Sequence, residues 1–151
     1  MAAAAVLLFF LFNPFAAPDL YREYANPAPL ALADKSTAAT AAVRAEMTFN
    51  QGDYAAAYSA LKIYLSENEE DTQAKLALGI AALETDNYDE AADIFRQISN
   101  GQSMLRSEGT WYLALLYLKE EDFARAAEVL KTLDNDPVRG EQSRELQRKL
   151  R

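Results

Sequence analysis

The chain contains no cysteine and no histidine in 151 residues. The first absence excludes disulfides, thiolate metal sites, a cysteine nucleophile and a lipid-modified cysteine. The second removes the commonest general base and transition-metal ligand. Glycine and proline number five each, and with abundant Ala, Leu and Glu this balance favours helix over sheet. Cations are in deficit: 15 Lys and Arg against 23 Asp and Glu give a net charge of −8. That sign opposes a phosphate-backbone partner, because nucleic-acid binding rests on clustered Lys and Arg. Phosphate-cradling glycine loops, metal-ligand spacings and Ser-His-Asp or Cys-His sets are all missing. Glu67, Glu69, Glu70 and Asp71 lack the glycine that turns a calcium loop and read as a solvated charge run. A non-enzyme is expected, with no cofactor, metal or small-molecule substrate.

What remains is organised by repetition. Half the residues are apolar, enough for a packed core in one domain's length of chain. Gly52-Asp53-Tyr54-Ala55-Ala56-Ala57, Asp86-Asn87-Tyr88-Asp89-Glu90-Ala91 and Glu121-Asp122-Phe123-Ala124-Arg125-Ala126 share one pattern: turn residue, cap, aromatic, two variable positions, alanine. The aromatics lie 34 and then 35 residues apart, a period that marks a helical solenoid. Helices are expected from Ser36 or Thr37 to about Asn50, Tyr54 to about Ser66, and Thr72 to Glu84. Three more follow, from an Asn87 cap to about Ser99, Leu105 to Lys119, and an Asp122 cap to about Leu133. Short acceptors such as Asp53 and Asp122 satisfy orphan N–H groups in each first turn. Asp136-Pro137 starts a further helix, with Leu146 and Leu150 on one face and Arg139, Arg144, Arg148, Lys149 and Arg151 elsewhere.

These residues resemble tetratricopeptide repeats, and with an apolar start (Ala2 to Phe12) and a Tyr/Pro-rich connector (residues 19–35) ahead of them the layout resembles bacterial membrane-anchored repeat proteins. Leu78-Gly79, Tyr88, Ala91, Phe95 and Ile98 carry the central match. Leu113-Ala114, Tyr117, Phe123, Ala126, Leu130 and Leu133 carry the third, and Ala45, Tyr54, Ala57, Leu61 and Tyr64 the first. Arg44 stands where the other repeats have leucine, as suits an end repeat. The resemblance implies an all-α fold of three helix-turn-helix repeats (about 38–71, 72–106 and 107–134, within 36–134) in a short right-handed solenoid. Residues 135–151 form its C-terminal capping helix. It also implies a concave face built from the first helix of each repeat. By register that face includes Glu46, Phe49 and Asn50, then Leu76, Ile80, Leu83 and Glu84, then Trp111, Leu115, Leu118 and Lys119. Phe49, Leu76, Ile80, Leu83, Trp111, Leu115 and Leu118 are the expected peptide-binding residues, an apolar groove suited to a peptide or helix. Internal cover by the end helix or by residues 21–32 is the other reading of that face.

Residues 1–18 begin with an apolar run, Ala2 to Phe12, and read as a membrane anchor or signal-like segment. Residues 19–35 form a Tyr/Pro-rich linker. It is either a spacer or an extended arm, anchored by Tyr21, Tyr24, Leu30 and Leu32, that lies on the repeats. The expected function is a membrane-tethered protein–protein interaction scaffold with its repeats outside the cytoplasm, in the periplasm of a bacterial envelope, binding a peptide or helix of an envelope partner. The alternative is a structural subunit that self-assembles through its apolar face.

Overall fold

A computed structural model describes residues 19–32 and 39–150. All regular structure among them is helical: α1 (Leu20–Tyr24), α2 (Ala39–Asn50), α3 (Tyr54–Glu67), α4 (Thr72–Glu84), α5 (Tyr88–Asn100), α6 (Arg106–Lys119), α7 (Phe123–Lys131) and α8 (Gly140–Lys149). From α2 onward each helix packs on the next, giving three helical hairpins in a stack with α8 against α7. The apolar run of residues 1–18 lies outside the described residues. No helix among the described residues is long and apolar enough to cross a membrane.

One turn is used three times. Gly52, Asp86 and Glu121 occupy the same register position and all have positive φ, at 77°, 61° and 59°. The following amide reaches back over the helix end: Asp53 N–H to Thr48 O (2.9 Å), Asn87 N–H to Ala82 O (2.8 Å), Asp122 N–H to Tyr117 O (2.8 Å). This is the six-to-one bond that closes a helix on a left-handed residue. The next helix starts at once, and Asp53 and Asp122 accept from Ala56 N–H (3.1 Å) and Arg125 N–H (2.9 Å). Asn87 departs from the expected cap. Its side chain makes no cap bond and donates instead to Thr85 Oγ1 at 2.9 Å.

Small residues set the helix crossings. A Cβ on Gly79 would lie 2.6 Å from Phe95 Cε1, and one on Gly109 would lie 2.7 Å from Ile98 Cγ2. The two glycines therefore let α4 and α6 close on opposite sides of α5. Phe95 is fully buried between them and stacks on Tyr112 with ring centroids 5.7 Å apart. Fully burying such a side chain contributes about 1.5–3 kcal/mol.

The final helix begins at Gly140 rather than directly after Pro137, with Pro137–Arg139 in a turn. Asp136 holds that turn, accepting from Val138 N–H (2.9 Å), Arg139 N–H (2.8 Å) and Ser107 Oγ (2.5 Å). Burial alone would raise its pKa, but these donors outweigh it and hold the carboxyl below the usual range. Leu146 and Ser143 are completely buried, and Ser143 Oγ donates to Leu130 O at 2.7 Å. The last repeat's open face is thereby closed.

Candidate functional site: the concave groove and its arm

Residues 19–32 do not span open space. They lie against the first helices of the three hairpins; residues 33–35 of the expected linker lie outside the described residues. Tyr21, Leu30 and Leu32 are buried, and Tyr24 is partly buried against the core. Asp19 caps α1 by accepting from Arg22 N–H at 3.2 Å. Beyond α1, Asn26-Pro27-Ala28-Pro29 cannot continue a helix, because each residue before a proline is pushed to extended geometry. The local chemistry thus delivers a short turn followed by an extended strap.

The strap is gripped at both ends and in the middle. At one end, the Tyr21 hydroxyl donates to the Glu84 carboxylate. Lys119 Nζ sits 5.3 Å from the Tyr21 ring centroid while donating to Leu83 O at 2.7 Å. In the middle, Tyr24 meets Trp111 edge to face, centroids 6.0 Å apart. The Arg139 guanidinium lies 5.0 Å from the Trp111 ring and forms a two-pronged pair with Glu108 (2.9 and 2.5 Å). Lys149 pairs with Glu23 and stands 5.0 Å from the Tyr24 ring. At the far end, Leu30 N–H donates to Asn50 Oδ1 at 2.7 Å and Asn50 Nδ2 donates to Leu30 O at 3.0 Å. Leu32 N–H donates to Glu46.

Three of these gripping residues are register equivalents: Asn50, Glu84 and Lys119 sit at the same place in successive first helices. The arm therefore runs along the row from the third hairpin to the first, opposite in sense to the order of the repeats. Burial, and then the bond to Glu84, push the Tyr21 phenol well above its ordinary range. Glu23 and Tyr24 raise the Lys149 ammonium. Behind the groove, the Tyr88 phenol is raised to about 12, chiefly by its hydrogen bond to Asp86.

The residues expected to form an open groove are at most 9% exposed: Phe49 4%, Leu76 9%, Ile80 4%, Leu83 0%, Trp111 1%, Leu115 0% and Leu118 5%. They form one apolar surface, but it is covered. Phe49, Leu76 and Ile80 still border a pocket of about 420 Å³ beside Ala28-Pro29-Leu30. Leu118 borders a second of about 740 Å³ with Leu20, Phe123 and Leu150. Leu83, Trp111 and Leu115 line neither. The arm's backbone is held by Glu46 and Asn50, polar residues of the same face that are not among the seven expected binding residues. Position 50 and its equivalents 84 and 119 are polar in every repeat, each directly after an apolar residue of the face (Phe49, Leu83 and Leu118).

Among the described residues no group of acidic side chains is arranged to hold a metal ion. Asp71, from the acidic run, is a helix cap, accepting from Ala74 N–H at 3.0 Å and Tyr64 Oη at 2.9 Å.

A family model described as tetratricopeptide repeat matches residues 48–103, the second helix of the first hairpin and the whole of the next. No curated protein and no solved structure matches the chain.

Proposed function

We propose, on the premise that this chain is a tetratricopeptide-repeat protein, that it is a non-catalytic scaffold whose concave groove takes an extended peptide bearing spaced aromatic and aliphatic anchors. The observation that carries this reading is the arm itself. Residues 19–32 already lie in the groove as a helical turn carrying Tyr21 and Tyr24 followed by an extended stretch whose main chain at Leu30 and Leu32 is held by Asn50 and Glu46. Main-chain bonds supply affinity and side-chain pockets supply specificity in this mode of recognition. Phe49, Leu76, Ile80, Leu83, Trp111, Leu115 and Leu118 form the floor, and a partner segment enters as the arm leaves.

The test is a labelled peptide of residues 19–32 followed by fluorescence anisotropy. It should bind a full-length chain carrying Tyr21→Ala and Leu30→Ser, which loosen the resident arm, at least tenfold more tightly than the unaltered chain. Equal binding to both proteins would sink the reading, as would no binding to a variant with full helical signal. Tethering of the module by residues 1–18, with the repeats in the periplasm, is the second part of this proposal and rests on the apolar run alone. Alkaline carbonate extraction decides it: release with soluble controls refutes the tether.

A further inference from the structure

The opposite end of the stack carries a face that is built for packing and has nothing on it among the described residues. Val43 and Met47 of α2 are 63% and 52% exposed. Their register equivalents are Ala77 and Tyr112, and Ala81 and Leu116, each 3% exposed or less. Those four are covered because a preceding hairpin lies on them. Ile63, on the α3 face that also presents Ala56 seven residues earlier, is 63% exposed, whereas its equivalents Gln97 and Thr132 are polar. The first hairpin thus puts apolar groups where a solvated end would carry polar ones, and the far end of the solenoid is closed by α8.

The start of the described arm is at the other end of the stack. Asp19 and Leu20 lie beside Phe123, Lys149 and Leu150, at the third hairpin and α8. Arg44 and Asp53 both border the exposed patch, and neither has an ion-pair partner among the described residues. Met47 lies between them along the chain. One cation and one anion placed on either side of an apolar centre are complementary to themselves under a twofold axis. From these observations we infer that the exposed α2–α3 face is a homodimer interface. Two copies stack head to head, with Met47 against Met47, Val43 and Ile63 around it, and Arg44 of each copy paired with Asp53 of the other.

The absence of native cysteine gives a direct test in the full-length chain. Met47→Cys on the twofold axis should form an intermolecular disulfide on mild oxidation, since two such residues lie within about 7 Å Cα to Cα. Met104→Cys, 99% exposed and away from this face, is the control for random collision and should give little dimer. Adding Val43→Glu to Met47→Cys should reduce the dimer at least tenfold with the helical signal unchanged. Arg44→Glu should likewise reduce it, and mixing that variant with an Asp53→Arg, Met47→Cys chain should restore it. No Met47→Cys dimer, or equal dimer from Met104→Cys, overturns the inference and leaves another occupant for the face. A dimer insensitive to Val43→Glu overturns it too. The groove plays no part in this readout, so its failure and this one are distinguishable.

Discussion

Asn50→Ala isolates what holds the arm in the groove. The carboxamide makes two bonds to one residue, accepting from Leu30 N–H at 2.7 Å and donating to Leu30 O at 3.0 Å. Each neutral hydrogen bond contributes about 1 kcal/mol net. Alanine therefore weakens docking by about 2 kcal/mol, a factor of about 30. The contact between Glu23 and Lys149 is the useful contrast. Its side chains are 45% and 36% exposed, so screening limits Glu23→Ala to roughly a twofold effect. Native-state hydrogen exchange reads both. Protection of the Leu32 amide, held by Glu46, should fall about 30-fold in Asn50→Ala and about twofold in Glu23→Ala, and that of Leu30, which loses its acceptor in Asn50→Ala, by at least as much there, while α4–α6 amides hold their wild-type values. Unchanged protection at Leu30 would refute the bond's role. A parallel loss across α4–α6 would show that the arm is inseparable from the solenoid's global stability, and the groove would not be a site that opens.

Alkali should release the same arm. The folded Tyr21 phenol lies above its ordinary value of 10.0, so the docked arm keeps a proton that the released arm loses. Docking is then intact below pH 10 and weakens about tenfold per pH unit above it, read as Trp111 fluorescence; a Tyr21→Phe chain lacking this dependence confirms the assignment, and one retaining it rejects it. Gly109→Ala puts a Cβ 2.7 Å from Ile98 Cγ2 and 3.0 Å from the Ser99 amide. The forced shift costs about 1–3 kcal/mol and exceeds the helix-propensity gain of up to about 1 kcal/mol, so the melting temperature should fall; an unchanged or higher value means α5 and α6 are not in close contact there. Glu121→Gly should act in the other direction. Glu121 has φ 59° at the place where the first hairpin uses Gly52, and relief of left-handed strain of about 1 kcal/mol raises the melting temperature by about 2–4 °C. A fall in thermal denaturation would reject the strain argument.

The hairpins were legible because they are local. Cap, left-handed turn, aromatic and alanine lie within six residues, so spacing alone identified helices at Tyr54, Thr72, Tyr88 and Phe123. The resemblance to tetratricopeptide repeats, and not spacing, singled out Gly79, which the structure packs against Phe95. Two local expectations failed for local reasons: Asn87 turned to Thr85 instead of to the helix start, and Pro137–Arg139 closed a turn around Asp136 before α8 began. Those choices depend on which acceptor lies nearest, and residue type does not specify that.

By itself the sequence determined the period, the helix pairs and an apolar inner face, because each follows from chemical neighbours one turn or one repeat apart. Only the tertiary structure decided that this inner face is covered and by what. Tyr21 reaches Glu84 across 63 positions of chain, and Lys149 reaches Glu23 across 126. No periodicity encodes such pairings. They exist because the stacked hairpins bring Asn50, Glu84 and Lys119 into one row, and an arm barred from helix by its prolines is extended enough to lie along it.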